Sequence, residues 1–108
     1  MIKISQPKII TTPTQLYKHF PKPFLWQDLS DFQILDEPLE TLGNNYFNVP
    51  IRANINAEWI KGTRKMHRMQ LEQILALLDK NVTRFKATLK RSPSGKYIIE
   101  IRDKTITK

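Results

Sequence analysis

Glu58 and Lys61 stand three residues apart, with Asp36, Glu37 and Glu40 upstream, and this is the nearest the chain comes to a metal-dependent phosphoryl-transfer centre. Such a centre uses two carboxylates to hold a divalent cation and a lysine to polarise the attacked phosphate, with the pattern Glu-x-Lys after a separate Asp. Here the pattern is Glu-x-x-Lys, one residue too long. His19 and His67 are the only histidines and no cysteine is present, which excludes disulfides, thiol nucleophiles and cysteine-held zinc. No Ser, His and acid order, glycine-rich phosphate loop or His-x-x-x-His spacing occurs. The expectation is a protein without catalytic residues, metal or cofactor.

Anion recognition is a different matter. The net charge is +8, and its distribution is uneven. Residues 1–60 hold five Lys and Arg against six acids, whereas residues 61–108 hold thirteen against four. An excess confined to one half points to a polyanionic partner, nucleic acid first. The densest part is Lys61, Arg64, Lys65 and Arg68, just ahead of the apolar repeat Leu71, Ile74, Leu75 and Leu78. That repeat follows the i, i+3, i+4, i+7 rule and predicts a helix over residues 64–80 with Thr63 as N-cap. Basic residues at a helix start oppose its dipole, and become favourable once a phosphate docks against the free N–H groups. Within the helix Arg68 has Glu72 as an i, i+4 partner.

A second basic surface follows from the two alternating segments 82–91 and 96–104, joined by Ser92, Pro93, Ser94 and Gly95, which predict a hairpin. If Phe85, Ala87, Leu89, Tyr97, Ile99 and Ile101 face inward, then Arg84, Lys86, Lys90, Arg102 and Lys104 line the opposite face. Such a ribbon can follow a nucleic-acid backbone. Phe85 and Tyr97 are read as core residues, so base stacking is not expected of the hairpin.

The remaining elements position these surfaces. Phe47, Val49, Ile51, Ala53, Ile55, Ala57 and Trp59 alternate with polar residues, which predicts one long strand over 46–59 with Trp59 on its apolar side. Pro50 lacks a donor and belongs at an edge or bulge. Gly43, Asn44 and Asn45 mark the turn before it. Upstream, residues 1–4 suggest a short edge strand and residues 14–20 one or two helical turns. The acidic, aromatic-rich stretch 24–42 reads as irregular or short-helical.

A chain of 108 residues has the length of one domain, with an acidic-aromatic portion over 1–45 and a basic portion over 46–108. The predicted fold is α+β, a small, mainly antiparallel sheet of three to four strands packed on one amphipathic helix. Without a long apolar run or a signal-peptide core, the chain is expected in the cytoplasm. Two functions fit. The first is a small DNA- or RNA-binding protein that contacts mainly phosphate. The second is a protein-interaction module whose partner has an acidic surface, with Trp26, Leu29 and Phe32 as its anchors.

Overall fold

The computed structural model describes residues 18–20 and 22–105. The expectations for residues 1–4 and for most of 14–20 fall outside them; Lys18 and His19 form a short strand, β1, rather than helical turns. After a single 3-10 turn at Trp26–Asp28 come β2 (Phe32–Ile34), β3 (Glu40–Gly43), β4 (Tyr46–Ile55) and β5 (Glu58–His67). Helix α1 (Arg68–Asp79) and the hairpin β6 (Phe85–Arg91) and β7 (Tyr97–Asp103) complete the order. The class is α+β as expected, but among the described residues the sheet has seven strands rather than three to four.

Two corrections account for the extra strands. Stretch 24–42 contains β2 and most of β3: Phe32 and Ile34 face the core and pair with Ala53 and Ile51 of β4, and Glu40 and Thr41 pair with Asn48 and Phe47 of the same strand. More consequentially, residues 46–67 form a hairpin of two ten-residue strands, not one strand followed by a turn and a helix. Asn56 and Ala57 both have positive φ, 54° and 66°, the signature of the two-residue turn whose twist suits a hairpin. The ladder continues from Ile55↔Glu58 to Tyr46↔His67, so residues 64–67 are strand and the helix starts only at Arg68.

His67, not Thr63, is therefore the N-cap, and its Nδ1 accepts the Met69 N–H at 3.1 Å. At the other end Asn81 takes the left-handed conformation that commonly closes a helix, and Val82 N–H donates to Leu77 O. Leu71 and Ile74 are buried and Leu75 and Leu78 pack against the core, as their spacing predicted.

The sheet order is β1-β5-β4-β2-β6-β7, with β3 pairing β4 as an extension of β2. β1 is parallel to β5 and the other pairs are antiparallel. In a flat sheet β5 and β7 would lie four strand spacings, about 19 Å, apart. Yet the single amide of Gln70 hydrogen-bonds both the His67 N–H at the end of β5 and a carbonyl of β7, which a span of that width does not allow. The sheet must curl around a core containing Phe24, Leu29, Phe32, Ile51, Met66, Leu71, Ile74, Phe85 and Ile101. Two glutamines fasten the closure. Gln70 Nε2 donates to Ile99 O at 3.2 Å and Gln73 Oε1 accepts the Ile101 N–H at 2.7 Å, covering backbone groups that edge strand β7 would leave unpaired.

Pro50 sits in the interior strand β4, where no edge or bulge is needed. Its carbonyl accepts the Leu35 N–H at 3.1 Å, so its missing donor faces the gap between the end of β2 and the start of β3. Gly62 lies under the Phe24 ring; a Cβ there would stand 2.6 Å from Phe24 Cε2, which is why this interior position is glycine. Among the described residues no helix is long and apolar enough to cross a membrane.

Ala57 at φ 66° carries a steric cost that glycine avoids. Ala57→Gly is expected to raise the urea-unfolding free energy by about 0.5–1 kcal/mol; a loss of stability would mean that the turn is not the left-handed one described.

Candidate nucleic-acid interface

In a two-residue hairpin of this register the paired residue numbers differ in parity: Ala53 faces Ile60 and Asn54 faces Trp59. The inward set is thus odd on β4 and even on β5. Trp59, expected on the apolar side, lies on the outer face with Arg52, Asn54 and Lys61. Sheet pairing assembles two cross-strand rows there. One runs Lys61, Arg52, Gln33 and Arg84, the last immediately before β6. The other runs Trp59, Asn54, Asp31, Lys86 and Arg102. Each spans about 15–19 Å of curved sheet.

The centre of this face is tightly organised. The Arg52 guanidinium lies over the Trp59 ring at 4.2 Å and that of Arg84 is 5.4 Å from the ring centre, so two cations gather beside the indole. Gln33 Oε1 accepts from Arg52 Nε at 2.8 Å and from Nη2, and Gln33 Nε2 donates to Thr83 O at 3.1 Å. The buried Asp31 carboxylate accepts from both Nε and Nη2 of Arg84, and from Asn54 Nδ2 at 3.4 Å. That bidentate pairing holds the Arg84 pKa above its ordinary value despite partial burial.

At the far end of the hairpin Tyr46 is also on the outer face and exposed. Lys65 Nζ lies 4.7 Å from its ring and His67 meets it edge-on at 5.0 Å. Eight residues of extended strand, about 27 Å, separate Tyr46 from the Trp59 end.

The predicted cations divide between faces and elements. Lys61, Arg64, Lys65 and Arg68 do not share a helix start: the first three are on β5 and only Arg68 is helical. Lys61 is on the outer face and pairs with Glu37. Arg64 points to the other face, where its Nη1 donates to Phe24 O at 3.1 Å, its guanidinium covers Trp26 at 4.6 Å, and burial lowers its pKa. It is a packing residue. Arg68 pairs with Glu72 at 3.5 Å, the partner expected from their spacing. On the hairpin, Lys86 and Arg102 are directly paired across strands on the outer face, and Lys90 approaches Glu100 at 3.9 Å. Lys104 follows β7, its N–H donating to Arg84 O at 3.0 Å.

The expected protein anchors fare differently. Leu29 and Phe32 are fully buried in the core and offer no surface; Trp26 is partly buried under Arg64. Tyr97, expected inside, is 62% exposed. Sequence reading missed Arg52, Gln33, Asp31 and Trp59 as site residues. The recoverable signal was Asn56, whose tolerance of positive φ permits a turn inside an otherwise unbroken alternation. Among the described residues no three His, Asp or Glu side chains converge as a metal site requires. The chemistry available on the face is attraction of polyanions and stacking against an aromatic ring.

Comparison with protein-family models, with curated proteins and with solved structures finds no match to this chain.

Removing Asp31 leaves Arg84 unanchored and Asn54 short of an acceptor. Asp31→Ala is expected to cost about 1–2 kcal/mol in urea unfolding, toward the low end of a charged hydrogen-bond pair because the Arg84 side chain is more than a third exposed. An unchanged midpoint would show that the pair does not organise this face.

Proposed function

We propose that the chain binds single-stranded nucleic acid across the outer face of β4 and β5 and along the basic face of the β6–β7 hairpin. The observation that carries this reading is the outward Trp59, beside the guanidinium groups of Arg52 and Arg84 within rows that continue to Lys86 and Arg102. An unstacked base has a π-face for the indole, and its flanking phosphates meet guanidinium and ammonium groups. A duplex keeps its bases stacked on each other and offers the ring nothing, which favours a single strand.

Connectivity supports the same surface by analogy. When β2 and β3 are counted as one bent strand, it pairs with the next strand, β4, and also with β6; the helix falls between β5 and β6, and β7 returns beside β6. This is the order of an OB-type Greek-key barrel, left partly open here with α1 in the gap. In such barrels the second and third strands and the loops beside them bind oligonucleotides or oligosaccharides. The second and third strands of this chain are β4 and β5, which carry Arg52 and Trp59.

The phosphate contribution has a numerical consequence. Replacing Lys65, Lys86 and Arg102 together by alanine should flatten the slope of log K against log salt by about 2 for a single strand, at roughly 0.7 for each phosphate left without its cation. Fluorescence anisotropy with labelled oligonucleotides of unrelated sequence at several salt concentrations measures it. An unchanged slope, or absence of binding by the parent protein at low salt, contradicts the assignment.

A further inference from the structure

The β6–β7 hairpin carries a second surface away from Trp59. Pairing of β2 with β6 is confined to Phe32↔Phe85, and the last hydrogen bond on that side is Ala87 N–H to Leu29 O at 2.7 Å. Backbone groups in an antiparallel strand alternate in direction, so the N–H and C=O of Leu89 and Arg91 point the same way as those of Ala87. Among the described residues they have no backbone partner. Beside this open edge lies a groove of about 260 Å³, lined by Trp26, Gln27, Ala87, Thr88, Leu89 and Ile99. Of the apolar side chains on this side of the hairpin, Leu89 is 65% exposed and Tyr97 62%. The Arg91 guanidinium lies 5.5 Å from the Tyr97 ring, Lys96 adjoins Tyr97 in the chain, and Lys90, 3.9 Å from Glu100, borders the edge from the outer face.

An open strand edge asks for main-chain hydrogen bonds, an apolar groove asks for alternate aliphatic side chains, and a cationic rim asks for negative charge. An extended segment supplies the first two by adding a strand, and acidic residues on its outward side supply the third. A second copy of the chain would set like charges against each other here. We infer that the β6 edge from Leu89 to Arg91 is the docking site for an extended partner segment in which aliphatic and acidic residues alternate. This edge lies away from Trp59, borders the basic hairpin face only at Lys90, and does not depend on the nucleic-acid reading.

The probe is a fluorescein-labelled synthetic peptide of alternating Asp or Glu and Val or Leu, titrated with the full chain at low ionic strength. Saturable binding is expected, absent for the same peptide with lysine in place of its acids. Leu89→Glu and Arg91→Glu should each weaken it at least about tenfold. Both positions are exposed, so the variants should retain the parent circular dichroism and unfolding midpoint. Trp59→Ala should leave peptide binding intact. Failure of the peptide to bind, or binding indifferent to Leu89→Glu, overturns the proposal. Loss of peptide binding on Trp59→Ala together with displacement by an oligonucleotide also overturns it, making the tip an extension of the nucleic-acid face.

Discussion

The two-residue turn at Asn56–Ala57 is the constraint on which the rest of the surface depends. Side chains along a strand alternate, so a turn one residue longer would shift the register and exchange the two faces of β5. Ile60 and Met66 would then leave the core, and Trp59 would take their side. With the turn as it is, Gly62 passes beneath Phe24, Met66 is buried, and Trp59 emerges beside Arg52 and Arg84. The cost of holding an alanine at φ 66° is small beside the burial it secures.

Fold and face are coupled at the opposite side of the sheet as well. Curling requires β7 to come round to the helix that follows β5, and Gln70 serves both ends of that closure. Its Oε1 accepts the His67 N–H at the helix start while its Nε2 reaches Ile99 on the edge strand. Such a buried amide is favourable because both of its polar ends are used. Among the described residues the hairpin beyond Ile99 has no such cover, and its tip combines open backbone with exposed apolar side chains.

What was legible in the chain was legible for local reasons. The leucine stripe of α1 and the hairpin over 85–103 rest on uninterrupted periodicity and a glycine-bearing turn; the stripe packs on the core as expected, and the hairpin strands fall within the expected 82–91 and 96–104. The helix start was misread because Gly62–Thr63 resembles a turn and N-cap, whereas a ten-residue ladder with β4 satisfies those backbone groups instead. Strands β2 and β3 are too short to show a period, and exist because β4 offers them an edge. The basic hairpin face was visible from alternation alone. The centre of the candidate site was not, because Arg52, Gln33, Asp31 and Arg84 are brought together only by pairing across 53 residues of sequence.

In the proposed function Trp59 is the platform against which a nucleic-acid base stacks. The most direct test uses a Trp26→Phe variant, in which Trp59 is the sole tryptophan, and follows its fluorescence while unlabelled single-stranded oligonucleotide is added. Saturable quenching is the predicted result, with a duplex of the same sequence far less effective. Binding detected by other means while Trp59 emission stays unchanged would contradict it, placing the nucleic acid elsewhere on the basic surface.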